Sequence, residues 1–530
     1  MRARHTTAAL LLLFLILLLC ATSAQAGGAA RATVDPSVLS ELEAVGANGS
    51  VPVIVYAPGH VGDVTAALGK NDTWASLDLV DGVAVEVTAA ELEQIAALRG
   101  VESVAADVPL FETGYADTMD VTNLTIGLGL LRPPEAGGPT GDGVTVAVLD
   151  SGSAEHVDLT DADGGGRVVA VVDFRKGKKH PYDDGGHGTF VDGLITGDGD
   201  ASLPLDQGGF ATQQFRGVAP RADIVSLKVL DKYGNGRAST LIRAIAWAIA
   251  HREQYDIRVM NISVEGPVNV PADRDPLALA VEKAWKAGIV VVCAAGNEGD
   301  FGPGGILSPG NDPYVITVGA LDTRQTSARA DDAVTHYSSI GPTLYDEYAK
   351  PDLVAPGNKV VSLRATASYI DRTYPQNRVP LPAYWPAAPA WASEDYFTMS
   401  GTSAAAPVVA GAVALMIEQD PSLTPDDVKL RLMATADALP GTAAGVQGTG
   451  VLDAPGALAA TARADGPTLS ADLGDGHTVL PPDVETHWQK YAWSKYAWSK
   501  YAWSKYAWSK YAWSKYAWSK YAWSVRIDGQ

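Results

Sequence analysis

Four residues far apart in the chain carry side chains suited to acyl transfer: Asp150, His187, Asn297 and Ser403. Each stands in a stretch rich in small residues: "VAVLDSG", "GGHGTF", "AAGNEG" and "SGTSAAAP". A serine hydroxyl is a weak nucleophile until a base takes its proton, and an imidazole titrating near neutrality suits that task. The imidazole needs a carboxylate to fix its tautomer and stabilise its charged form, the role open to Asp150. A tetrahedral oxyanion needs fixed donors, here the Asn297 amide and the Ser403 N–H at a helix start. Plainer readings exist for each. Asp150 could close a strand-end turn, Asn297 could supply a left-handed turn residue, and His187 could be a satisfied helix-start residue. Thr402 and Ser403 could simply cap a helix, near whose start Pro407 is tolerated.

The elements around these residues narrow the choice. "VTVAVL", "RVVAVVDF", "DIVSLKVL", "IRVMNISV", "GIVVVCAA" and "YVITVGAL" are near-continuous apolar runs, with helical stretches such as "STLIRAIAWAIAHRE" and "DPLALAVEKAWKAG" between them. Such a pattern predicts an α/β fold with a doubly wound parallel sheet buried on both faces. Ligands in such folds sit beyond the carboxyl ends of the strands, where Asp150 and Asn297 fall. Upstream, residues 51–112 predict a small α+β module: strands at "VPVIVYAP" and "GVAVEVT", helices at "VGDVTAALG" and "AAELEQIAALRG", closed by "VESVAADVPLF". The polar stretch "ETGYADTMDVTNLTIG" that follows reads as a linker and cut site.

In this order and with these flanks, the motifs resemble those of the subtilisin family of serine peptidases. "GDGVTVAVLDSG", "GHGTFVDG" and "GTSAAAPVVAG" resemble its aspartate, histidine and serine motifs, and "AAGNEG" its oxyanion asparagine segment. The chain order Asp, His, Ser is that of subtilisin. "FRGVAPRADIVSLKVLDKYGNG", "YSSIGPT" and "KPDLVAPG" add matches, and the resemblance covers roughly residues 119–464. It implies a secreted endopeptidase with Asp150, His187 and Ser403 catalytic and Asn297 at the oxyanion. It also implies that the edge strand at Gly234, Asn235 and Gly236, the segment Ser263, Val264 and Glu265, and Ala294, Ala295 and Gly296 bind substrate. "DGVAVEVTAAELEQIAALRGVESVAAD" resembles the family's inhibitory propeptide, which implies a ferredoxin-like module whose end lies in the cleft until it is cut away.

The domain reading is therefore a signal peptide at 1–26, a propeptide at 27–118, the peptidase domain at 119–464, a linker at 465–489 and a repeat tail at 490–524. The expected partners are protein or peptide substrates and the chain's own propeptide, and a monomer is expected. No organic cofactor is implied. The family commonly binds calcium, which "DADGGGR" and "GDGDASLPLD" could hold, but no loop has full ligand spacing and no metal residues are assigned. The alternatives are an inactive surface or binding protein on a peptidase scaffold, and a maturation peptidase of narrow specificity.

Several positions depart from the family pattern. Phe190 replaces a second histidine, and Asp192 a small residue. A nearby unpaired Asp192 carboxylate should raise the His187 pKa. Glu265 replaces a glycine, and is either a solvent-facing charge or a group that narrows the cleft or favours basic substrate side chains. "DRTYPQNRVPLPAYWPAAPAWASED", before the serine motif, reads as an ordered surface loop that either shapes substrate access or is passive.

Composition fits an exported protein. "MRARHTTAALLLLFLILLLCATSAQAGG" has the basic start, apolar core and A-x-A site of a secretory signal, and no other stretch reads as a bilayer span. Removing it removes Cys20 and leaves Cys293 alone, in a buried strand and without a disulfide partner. The formal charge of −21 argues against nucleic acid. Seven "KYAWS" copies fill residues 490–524 with a local charge of +7, which reads as a passive repeat or as an aromatic and cationic anchor to cell-wall polymer. Ala404 stands where the family carries methionine, so a near-site thioether is lost. Peroxide is expected to inactivate this protein more slowly than methionine-bearing relatives. Rapid loss of activity with Cys293 unmodified would overturn that expectation.

Overall fold

All six apolar runs form strands of one sheet. The computed structural model describes residues 32–471, apart from 47–48, 69–72, 113–137, 161–164, 178–179, 205–207, 327–328 and 390–391. The signal segment, the expected cut site after Glu112, residues 472–489 of the linker and the KYAWS tail lie outside the described residues.

The sheet runs Val168–Asp173, Asp223–Lys228, Thr145–Asp150, Ile257–Ile262, Val290–Ala294, Ile316–Asp322, all parallel. Its last strand also pairs in parallel with Leu353–Pro356 and antiparallel with Ala333–Val334. Every residue of Thr145–Asp150 and of Val290–Ala294 is buried. Successive strand residues point to opposite faces, so both faces of the sheet must be covered. Helix Thr402–Gln419 packs on the central strands and against helix His187–Thr196, while helices Ala238–Ala250 and Pro276–Lys286 pack together. Thr402–Gln419 is long and apolar enough to cross a membrane, contrary to the sequence reading that nothing after the leader is, yet 89% of it is buried inside the fold. It is the core helix of the domain.

Residues 33–112 form a five-stranded sheet in the order Thr33–Val34, Ser103–Ala106, Ser50–Tyr56, Gly82–Thr88, Thr73–Leu77. With helices Val61–Leu68 and Ala89–Ala96 this contains the βαββαβ pattern of a ferredoxin-like unit. Strand Thr33–Val34, helix Pro36–Val45 and strand Thr73–Leu77 were not read from the sequence. The first two lengthen the module beyond residue 51, because Thr33–Val34 pairs with Ser103–Ala106 at the sheet edge.

Beneath the sheet, the Lys350 and Lys429 ammonium groups lie 2.7 and 3.3 Å from the Asp352 carboxylate, all three fully buried. Burial pushes Lys429 down to about 7 against the pull of Asp352. The Ser470 hydroxyl donates to Asp352 at 2.7 Å, so the chain stays bound to the domain beyond residue 464, within the stretch read as linker. Asp352→Ala removes the carboxylate that both buried lysines share, Lys429 then shedding its proton, and is expected to cost about 3–5 kcal/mol. The readout is the denaturation midpoint, and an unchanged midpoint contradicts the assignment.

Candidate active site

Asp150 ends its strand, and its buried carboxylate accepts from the Ser151 N–H at 2.6 Å. His187 opens its helix. Its Nδ1 lies 2.9 Å from each Asp150 oxygen, and its Nε2 lies 3.0 Å from Ser403 Oγ. Asp150, His187 and Ser403 are each 1% exposed, so this chain of hydrogen bonds sits in a low dielectric that strengthens it. With Nδ1–H donating to the carboxylate, Nε2 is left to accept the serine proton.

Two glycines let His187 approach. Gly186 has φ 106°, and a Cβ there would meet Ser368 Oγ at 2.4 Å. At Gly188 a Cβ would lie 2.1 Å from the Gly152 carbonyl oxygen. Asp183, which sequence reading missed, holds this loop. One of its oxygens accepts from Ser151 Oγ, Gly185 N and Gly186 N, at 2.8, 3.1 and 2.7 Å. The other accepts from Thr189 N and Oγ1, at 2.9 and 2.8 Å. Ser151 Oγ in turn accepts from Gly188 N, tying the aspartate strand to the histidine helix. Acid residues followed by glycines in "DDGGHG" were the available signal.

Ser403 is the second residue of its helix, and no side chain caps the Gly401 start. The capping reading of the serine therefore fails. Pro407 lacks the N–H that would bond to the Ser403 carbonyl one turn earlier. Ser263 Oγ donates to that carbonyl at 3.0 Å and is itself held by Asn261 Nδ2 at 2.9 Å. The proline thus couples the nucleophile to the strand that follows Ser263. Asn297 Oδ1 accepts from Thr402 N at 2.9 Å and from Thr402 Oγ1 at 3.2 Å. Fixing the carbonyl end of the amide this way leaves its NH2 end as the donor beside the helix start. Gly296 takes φ 109°, where a Cβ would crowd Ser339 and Leu307, and its N–H donates to Thr402 Oγ1. Ala294 ends the buried strand, with Ala295 buried next to it.

Asn235–Arg237 and Val264–Glu265 form two edges with a strand between them, and that strand is Pro109–Glu112 of the amino-terminal module. The register pairs Asn235 with Phe111, Gly236 with Leu110, Val264 with Glu112 and Glu265 with Phe111, all antiparallel. Gly234 makes the turn before the first edge at φ 77°. Glu265 is 7% exposed, so it is not a solvent-facing charge in this arrangement.

Asp192 lies on the inward side of the histidine helix. It is fully buried, beside the Ser153 hydroxyl. Burial above all, with Asp150 and Asp183 adding to it, pushes this carboxyl well above the usual range. Phe190 and Ala404 belong to one apolar cluster with Leu194, Ile370 and a buried Met399. The loop before the serine motif is ordered where described: Asp371 accepts from Arg364 Nε at 2.6 Å and Arg378 Nε at 2.8 Å, and Trp385 stacks on Phe210. The N–H groups of Tyr369 and Ile370 donate to Asp184 and Gly185, bracing the histidine loop. Among the described residues no group of three His, Cys, Asp or Glu could hold a metal ion, and residues 161–164 and 205–206 of the acidic loops lie outside the description. Cys293 is buried, and burial pushes its thiol well up.

Sheet and constellation together describe a serine-nucleophile hydrolase of α/β architecture. The sequence profile of the subtilase family matches residues 141–457, and the chain belongs to that family of subtilisin-like serine proteases. It is 40% identical over 320 residues to serine protease AprX of Bacillus subtilis (strain 168), a match covering 59% of this chain and 66% of AprX. It is 33% identical over 307 residues to subtilisin DY of Bacillus licheniformis, covering 58% of this chain and 88% of that protein. The crystal structure of fervidolysin from Fervidobacterium pennivorans superposes with a TM-score of 0.60 at 20% identity, over 81% of this chain and 63% of that one. The chain thus spans just under two thirds of AprX and of fervidolysin.

Replacing Asp183 by asparagine turns an NH2 group toward N–H donors. Asp183→Asn is expected to lower kcat at least tenfold, with KM nearly unchanged and about 3 kcal/mol of stability lost. Steady-state kinetics beside a denaturation curve checks this, and wild-type kcat would remove Asp183 from the positioning network.

Proposed function

We propose that this protein is an exported serine endopeptidase made as a self-inhibited precursor. His187 takes the proton of Ser403 as Oγ attacks the peptide carbonyl, and Asp150 holds the ring and stabilises the imidazolium. Asn297 and the Ser403 N–H receive the oxyanion at the positive end of the serine helix. The imidazolium then protonates the leaving amine, and water, activated by the same base, hydrolyses the acyl-enzyme. The single observation that carries this reading is one buried imidazole within 3.0 Å of both a carboxylate and a serine hydroxyl.

Substrate binds as an added strand between Asn235–Arg237 and Val264–Glu265, through backbone bonds that tolerate many sequences. Occupation of that slot by Pro109–Glu112 supports the propeptide reading, because a substrate cannot enter while the module's strand is there. The basic and apolar leader and the family's secreted members support export. The buried Glu265 on one edge, and the ordered loop bracing the histidine, favour a narrower substrate range as the second reading. The KYAWS tail would add attachment to cell-wall polymer.

A fluorophosphonate probe is expected to label the processed wild-type protein and leave Ser403→Ala unlabelled. No labelling of processed wild type would overturn the proposal. A peptide-library digest then separates broad from narrow cleavage.

A further inference from the structure

Two helices of this chain begin with the dipeptide Asp-Pro. Asp35 caps Pro36–Val45 of the amino-terminal module, accepting from the Ser37 N–H at 2.8 Å. Asp275 caps Pro276–Lys286 of the peptidase domain, accepting from the Leu277 N–H at 2.9 Å. The two caps meet. Both carboxylates line one cavity of about 20 Å³, together with Ala105 and Ala106 of the module and Pro267 and Asn269 of the domain. That is room for a single water. Asp35 and Asp275 are 2% and 8% exposed. A third module carboxylate, the buried Asp107, accepts from the N–H and hydroxyl of Ser239 at 2.9 and 2.8 Å, in the first turn of Ala238–Ala250.

The cations nearby, Arg237 excepted, are engaged elsewhere. No Lys, Arg or His lines the cavity. Arg274 directs its guanidinium to Thr33 Oγ1 at 3.1 Å and to Asp273 at 3.9 Å. Lys283 reaches Asp81 at 3.5 Å, and the half-exposed Arg237 stands 3.9 Å from Asp107. Two acids from opposite sides of one interface therefore line one cavity without a shared counter-ion among the described residues.

We propose that the amino-terminal module docks on this face of the peptidase domain together with protons, so that it is held in acid and loosened as the medium approaches neutrality. Its regulatory meaning rests on the propeptide reading above, while the docking itself does not. Burial is the largest influence on all three acids. It pushes Asp275 up to about 6, with Asp35 adding to the effect, and it raises Asp35 and Asp107 as well. Once the module leaves, water reaches Asp275, which still caps a helix. Its carboxyl then returns to about 4, the ordinary aspartate range. The docked state holds a proton that the separated state releases. Docking is therefore strongest below about pH 4 and is lost as pH rises through about 6. From Asp275 alone, the docking equilibrium should weaken about 25-fold between pH 4.5 and 7.5. Asp35 and Asp107 act in the same direction. The lysine and arginine contacts keep their charge over this range and add little slope.

The experiment uses full-length Ser403→Ala, which cannot cut itself. Hydrogen exchange of residues 101–112 is followed between pH 4.5 and 7.5, each rate being divided by its intrinsic value. Protection is expected to fall about 25-fold or more across the range, and by clearly less in Asp275→Asn, which keeps the cap acceptor and cannot ionise. Asp275→Ser serves the same purpose should the asparagine variant fail to fold. Equal slopes in parent and variants, or protection that rises with pH, would overturn the proposal. So would protection at pH 7.5 that depends on calcium and vanishes on chelation, since the two carboxylates would then share a metal ion. Failure of probe labelling in wild type would sink the peptidase reading and leave this result standing.

Discussion

Everything in this domain answers to one demand: a buried imidazole must be gripped at both nitrogens at once. Nδ1 of His187 faces Asp150 and Nε2 faces Ser403, each about 3 Å away, with almost no water at hand. A carboxylate removed from water is costly unless it is paired and hydrogen-bonded. Asp150 meets that condition only while the histidine loop stays in register with the strand end. Asp183 and Ser151 enforce the register from below, and the start of the Tyr369–Thr373 helix braces it from the side.

The nucleophile is tied to the cleft by a missing hydrogen bond. Pro407 frees the Ser403 carbonyl, and Ser263, just before the edge strand Val264–Glu265, takes it. In the proposed reading, substrate contact and nucleophile position therefore share one residue. The same edges create a hazard, since open strand edges recruit any extended chain. Here the module supplies its own strand, Pro109–Glu112, and completes a three-stranded antiparallel sheet. Backbone pairing holds that strand with little regard to its side chains, while the acids buried at Asp35, Asp107 and Asp275 make the hold sensitive to protons.

Legibility followed the range of the forces. The six central strands were readable because burial on both faces demands apolar residues at every position. Four elements of the module, strands Ser50–Tyr56 and Gly82–Thr88 and helices Val61–Leu68 and Ala89–Ala96, were readable from their apolar runs and helical spacing. Thr33–Val34 was not, since two residues carry no period and only pairing with Ser103–Ala106 makes them a strand. Nor was the hairpin of Val360–Leu363 with Tyr396–Met399, whose partners stand on either side of a long, proline-rich loop. The burial of Asp192 was not readable for a related reason. Its identity announces a charge, but its surroundings, set by distant residues, disfavour that charge.

By itself the sequence determined the chemistry on offer: which central strands form, which motifs end them, and the order of aspartate, histidine, asparagine and serine. Those depend on local composition and periodicity, which the chain displays directly. Tertiary structure alone decided that Asp183 carries the histidine loop, that Ser263 serves the carbonyl left by Pro407, that Asp192 is buried, and that two Asp-Pro helix starts share one cavity. Each is a contact between segments far apart in the chain. Its strength depends on distance and exclusion of water, quantities that exist only once the chain has folded.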